Sequence, residues 1–230
     1  YTNPLSDVFV QAAQELGYKF NSDFNGTKQE GFGLYQVTHK DGTRCSAARA
    51  YLHPASKRKN LTIEANAQVE RIVIEDNCVT GVIYHQKGKA CEVVVNKEVI
   101  LSAGAYNSPQ ILMLSGIGDG QELQKHRIPV KEHLPGVGKN LRDHPQAQVV
   151  WKTKENSSQD PDPYKRVQVG LRYTASNSDL RNDMFLQPGS TANPSVYLGP
   201  EDSINHIAIT AMLYLAKGRG SITLRSADPL

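Results

Sequence analysis

Ser102, Ala103 and Gly104 are three consecutive residues with almost no side-chain bulk, and Ala105 follows them. A stretch of this kind lets a ligand approach bare backbone. Val99, Ile100 and Leu101 precede it as a continuous apolar run, the pattern of a short strand covered on both faces. Asn107 or Ser108 then stands where a helix cap is needed, with Pro109 at the first helical position, where the missing N–H is no loss. Ile111, Leu112 and Leu114 carry the expected helix to Gly116 and Gly118, which stop it. On the residues alone, this is a strand–turn–helix with either a ligand or a tight packing contact at its turn.

Residues able to make or break bonds are harder to find. Asp143-His144 is the tempting acid–base pair, but neighbours on an extended segment point opposite ways, so the two form no relay and His144 is read as structural. His39, His53, His85, His126, His133 and His206 fall in loops or at strand edges. No pair has ligand spacing, and no zinc site is expected. Ser115 and Ser195 lack a nucleophile-elbow context. Cys45, Cys78 and Cys91 are odd in number and widely spaced, which suggests a reducing compartment and a cytoplasmic location. No catalytic residue and no metal ligand is assigned.

The elements that must position the turn fit a globular chain. At 230 residues and 39% hydrophobic content there is room for one large domain or two modest ones. A net charge of +3, from 26 basic and 23 acidic residues, is too mild and too evenly spread to argue for nucleic acid. Lys57-Arg58-Lys59 reads as a solvated turn. No apolar run approaches the roughly 20 residues that cross a bilayer. The polar start, Tyr1-Thr2-Asn3-Pro4, has no initiating Met and no signal-peptide pattern. The expectation is a chain that begins inside a longer parent or is a processed or trimmed piece.

Ser6 to Leu16 has helical spacing and ends at Gly17. Residues 21 to 43 are loop-rich, with turn dipeptides at Asn25-Gly26 and Asp41-Gly42, and a second helix is expected over Ser46 to Leu52. Leu61 to Ala65 reads as a strand. Val69 to Glu75, Val79 to His85 and Cys91 to Val95 then form a meander turned at Asp76-Asn77 and Lys87-Gly88. Leu123 to His126 continues helical, and Ile128 to Val130 is extended. Residues 152 to 164 read as a polar loop, and Val167–Tyr173, Asp183–Leu186, His206–Leu215 and Gly220–Leu224 as strands of a second, mostly β region.

The run Ser102-Ala103-Gly104-Ala105-x-x-Ser108-Pro109-Gln110-Ile111-Leu112-Met113-Leu114-Ser115-Gly116-Ile117-Gly118 resembles the second signature of the glucose–methanol–choline (GMC) family of flavin-dependent oxidoreductases. Asp23-x-Asn25-Gly26, Gly31-Phe32-Gly33-x-Tyr35-Gln36 and Gly42-x-Arg44-x-Ser46 are similar to the approach to its flavin domain. Leu134-Pro135-Gly136-Val137-Gly138-x-Asn140-Leu141-x-Asp143-His144 is similar to its domain-closing loop, and Gly218-x-Gly220-x-Ile222-x-Leu224 to a later strand. The likeness covers nearly the whole chain and is nearest to choline-dehydrogenase-like members.

The resemblance implies an α+β or α/β fold: part of a Rossmann-like FAD-binding domain with an inserted antiparallel meander, and part of a mostly antiparallel substrate-binding domain. The implied divisions are 1–41 (substrate-domain or lid portion), 42–145 (central FAD-binding portion) and 146–230 (substrate-binding portion). It implies FAD as cofactor, with Val69 meeting adenine through its backbone, Ser102, Ala103 and Gly104 lining the dinucleotide, and Asn107 touching the cofactor or capping the helix. The β-rich region would form one wall of the pocket for a small-molecule alcohol, with Tyr173, Phe185, Tyr197 and Tyr214 as candidates for facing it.

Two of the family's parts have no counterpart in these residues: the Gly-x-Gly-x-x-Gly loop that holds pyrophosphate and the C-terminal catalytic histidine. The implied chain is therefore a central portion, inactive alone, with FAD weak or absent, and with truncated strand edges that favour self-association. The alternative is a stand-alone binding or structural module that kept the scaffold. A nicotinamide-dependent dehydrogenase is the weaker third reading.

Overall fold

The computed structural model describes residues 4–154, 168–189 and 206–229. In chain order the elements begin with α1 (Pro4–Glu15), β1 (Gly31–Leu34), β2 (His39–Lys40) and β3 (Thr43–Arg44). A π-helical turn (Ala48–Leu52) runs into α2 (His53–Ala55), and β4 (Gln68–Glu75), β5 (Cys78–Gln86) and β6 (Lys89–Val94) follow. Next come α3 (Gly104–Leu114), β7 (Ile117–Gly118), α4 (Gly120–Lys125), β8 (Glu132–His133) and β9 (Lys139–Leu141). The last are β10 (Gln146–Lys152), β11 (Val169–Tyr173), β12 (Met184–Gly189), β13 (His206–Leu213) and β14 (Gly220–Ser221). The chain divides into two compact units, Tyr1–Arg58 with Asp143–Lys217, and Lys59–Arg142 with Gly218–Leu230.

The first unit is built on a five-stranded sheet in the order β1-β11-β12-β13-β10, antiparallel throughout. Side chains alternate across a strand, and this sheet uses both faces. On one, α1 lays Ala13 against Phe32 and Leu171, ringed by Phe9, Val10, Tyr18, Tyr173 and Leu186. Gly17, at φ 81°, ends the helix as expected. The register Arg172↔Phe185↔Met212 puts those three residues on the opposite face, and Tyr214 follows Met212 by the strand period.

The second unit carries the expected meander. Asp76-Asn77 and Lys87-Gly88 all have positive φ, the mirror-image turn geometry that suits the twist of two joined strands. Helix α3 packs beside β4, and Ser115 joins them: its hydroxyl accepts the Ile72 N–H at 2.8 Å and donates to the Ile111 carbonyl at 2.6 Å. Met113, Leu123 and Ile128 form the core here, with Leu114, Val137, Ile222 and Leu224 against them. Because Ser115 is buried, Ser115→Ala leaves the Ile72 N–H without a partner. The expected loss is about 1–3 kcal/mol in urea unfolding; no loss would mean that water or a shifted β4 replaces the bond.

Several expectations need correction. Residues 61–65 and 99–101 lie in no ladder, and Ile63 and Ile100 are 52% and 79% exposed. A parallel-type strand exists only through its neighbours, and none flanks these runs among the described residues. The helix after the turn starts at Gly104, with Ala103 as its cap residue, so Pro109 lies inside it rather than at its first position. Asn107 is no cap, and Ser108 serves the N-terminus from within the helix, its hydroxyl accepting the Ala103 N–H at 3.0 Å. The small residues let the helix begin a turn earlier than the capping pattern suggests.

The helix expected over Ser46 to Leu52 is instead the π-helical turn running into α2. Two strands of the five-stranded sheet, β1 and β10, have no counterpart in the sequence reading. Gly31 and Gly33 hide β1 inside a loop-like composition, and the polar residues Gln146, Gln148 and Lys152 mask β10. Most of the loop read at 152–164 lies outside the described residues, as do Ser195 and Tyr197.

Candidate functional site

The turn ahead of α3 is bare. Ser102, Ala103, Gly104 and Asn107 are all exposed. Gly104 has φ 88°, and a Cβ built on it would meet no heavy atom within 4 Å. Its conformation is one that L-residues avoid, yet nothing among the described residues crowds it. Of the two explanations for small residues at this turn, packing finds no partner among the described residues.

Val69 stands near the start of β4, the outer strand of the meander. It is half-buried and pairs with Tyr84, and a bulge between Val69 and Arg71 interrupts the ladder. Next to it, the Glu70 carboxylate receives both the Arg71 guanidinium and His85 Nε2, the latter at 2.7 Å. A cleft of about 300 Å³ opens further along β4, bounded by Arg71 to Glu75, Leu114, Ser115 and Lys131. The residues expected to hold a dinucleotide do not line it.

The first unit holds a cluster that sequence reasoning largely missed. Tyr214 stacks on His144, with ring centroids 4.2 Å apart, and on Phe185 at 5.0 Å. Phe185 continues to Tyr35 at 5.6 Å and Phe24 at 6.5 Å. The Arg172 guanidinium lies 5.3 Å from the Tyr214 centroid, within cation–π range. Its Nε donates to the Asn182 carbonyl at 3.3 Å.

Of the aromatic candidates, Phe185 and Tyr214 share this face, whereas Tyr173 lies under α1. The Tyr35 hydroxyl is buried without a hydrogen-bond partner among the described residues. Burial, with Tyr214 as a lesser cause, raises its pKa far above the usual phenol range and keeps it protonated. His144 is here a stacking residue, and Asp143 meets it only through the backbone, its Oδ1 accepting the His144 N–H at 2.7 Å. The available signal for Arg172 was the alternation Val169, Leu171, Tyr173 against Gly170, Arg172, which sets a cation on one face of an apolar strand.

Comparison with known proteins first defines the class. Pyridoxine 4-oxidase from Mesorbium loti has the same fold, with a TM-score of 0.85 at 23% identity over 98% of this chain and 45% of its own. Formate oxidase matches at a TM-score of 0.86 and 20% identity, over 99% of this chain and 48% of its own. These neighbours show an α+β fold shared over nearly the whole chain.

The family model for GMC oxidoreductases matches residues 1–146, and the chain belongs to that family. It is 40% identical over its whole length to the oxygen-dependent choline dehydrogenase of Rhizobium johnstonii, and 38% identical to that of Staphylococcus aureus strain MSSA476. It spans 45% and 43% of those two relatives, so slightly under half their length.

Among the described residues no helix is long and apolar enough to cross a membrane, and no cluster of metal-ligating side chains occurs.

Proposed function

We propose that this chain is the central portion of an FAD-dependent oxidoreductase that converts an alcohol to an aldehyde, in the manner of a choline dehydrogenase. When bound, FAD supplies the hydride acceptor for that oxidation. The observation that carries the reading is the uncovered turn at Ser102–Gly104, a cradle of bare backbone with no packing partner among the described residues. Ser102, Ala103 and Gly104 would line the dinucleotide, Val69 would meet adenine through its backbone beside the β4 bulge, and Asn107 would lie one helical turn further on. Family membership and the choline dehydrogenase relatives support the same assignment.

The division of labour follows the two units. The unit with the meander and α3 is assigned to the cofactor, and the five-stranded sheet to the alcohol. No residue of this chain is given the role of base. The chain alone should therefore purify with little or no flavin and no activity.

The gene product that contains this segment should be a yellow flavoprotein whose flavin is bleached anaerobically by a primary alcohol. Gly104→Val forces a branched side chain into a φ of 88° and fills the cradle. A side chain standing where the dinucleotide would lie should raise the flavin dissociation constant by roughly tenfold or more, a loss of about 1.4 kcal/mol or more in binding. Unchanged flavin content and affinity in the variant would remove the turn from the cofactor site.

A further inference from the structure

Arg172 occupies an unusual position for a sheet face full of rings. It is half-buried, its Nε is committed to the Asn182 carbonyl, and its carbon sits over the Tyr214 ring. No carboxylate neutralises it among the described residues. Asp183, the acid next to the Asn182 carbonyl that holds Arg172, is turned to the Ala175 N–H at 2.9 Å. Among the described residues the other guanidinium N–H groups have no partner and form a planar fork, the geometry that pairs with a carboxylate in two parallel hydrogen bonds. Tyr214, which holds the guanidinium, is itself fixed by stacking on Phe185 and His144.

A quaternary ammonium alcohol needs the reverse arrangement, with aromatic faces turned to the cation and no competing positive charge. Here the cation–π position on Tyr214 is already taken by a resident cation.

Resting on the alcohol-oxidising reading above, we propose that Arg172 sets the charge of the substrate. The protein takes an alcohol that bears a carboxylate and discriminates against one that bears a quaternary ammonium. Arg172 would bind the substrate's anionic end, while Phe185 and Tyr214 fix the guanidinium plane. Choline, which the relatives' names specify for those proteins, would be a poor substrate for this one.

The test compares three primary alcohols on the flavin-loaded gene product: choline, its uncharged isostere 3,3-dimethylbutan-1-ol, and 4-hydroxybutanoate. The expected order of kcat/KM places 4-hydroxybutanoate first and choline last, at least tenfold apart. Arg172→Met should reverse that order. Arg172→Lys, which keeps the charge but not the fork, should retain part of the preference. Choline as the best substrate of the unaltered protein, or a ratio that Arg172→Met moves by less than twofold, would overturn the proposal.

A flavin-loaded protein that none of the three alcohols reduces would overturn it as well. A gene product that binds no flavin sinks the alcohol-oxidising reading instead. Calorimetric titration with 4-hydroxybutanoate and with choline then decides the charge preference by itself, and tighter binding of choline, or no binding of either, counts against it.

Discussion

Gly116→Ala should cost about 3 kcal/mol of stability, far more than the same change at Gly17. Both glycines end a helix with left-handed backbone, at φ 87° and 81° respectively. That conformation alone penalises an L-residue by about 1–2 kcal/mol. At Gly17 nothing lies within 4 Å of the added carbon, so the penalty ends there. At Gly116 the carbon would stand 2.4 Å from the Pro129 carbonyl oxygen and 2.9 Å from Lys131 Cγ.

The backbone around Gly116 has little freedom to yield. The Gly116 carbonyl accepts N–H groups from Lys131 and Glu132 at 2.8 and 3.1 Å, and the adjoining Ile117 pairs with Glu132 in a parallel bridge. Overpacking of this kind adds about 1–3 kcal/mol. Urea denaturation of the two variants beside the unaltered protein reads the difference directly. Equal losses would show that the Pro129 segment moves aside freely. The second half of the 102–118 signature would then owe its glycine to conformation alone.

The same signature marks how far the sequence could be read. Gly17, the Asp76-Asn77 and Lys87-Gly88 turns and the meander were legible because each depends on local chemistry: a positive φ at a helix end, or a two-residue turn between alternating strands. The start of α3 was not, because Pro109 and the polar pair before it imitate a cap so well, while Gly104 opens the helix earlier. The runs at 61–65 and 99–101 have strand composition without a strand, since ladder bonds are a property of neighbours and not of a segment.

The candidate cofactor residues were named through family likeness. The structure adds the one fact that composition could not supply, that nothing among the described residues crowds Gly104. The Arg172 cluster stayed hidden for another reason. His144, Arg172, Phe185 and Tyr214 come from segments up to 70 residues apart, and only the sheet register brings them to one face.

That register makes Phe185 the position where stability and the proposed selectivity meet. Phe185 is 5% exposed and touches Tyr214, Tyr35 and Phe24 at once. It has its place because Gly170, on the neighbouring strand, has no side chain: a Cβ there would stand 2.7 Å from the tip of the Phe185 ring and 2.1 Å from the Tyr35 hydroxyl. Phe185→Ala should cost about 3–5 kcal/mol, since the ring leaves a void that a sheet bonded on both sides closes poorly.

Phe185→Leu keeps most of the volume and forfeits mainly the ring–ring contacts, each about 0.5–1.5 kcal/mol. It should remain folded, and there the two roles separate. If Phe185 only fills the core, the leucine variant keeps the substrate preference of the unaltered protein. If stacking on Tyr214 also orients Arg172, the 4-hydroxybutanoate-to-choline ratio falls. It falls less than in Arg172→Met, because the guanidinium is still present but less well aimed. A leucine variant with full stability and a ratio as low as that of Arg172→Met would fit neither role, and would show that the ring itself contacts the alcohol.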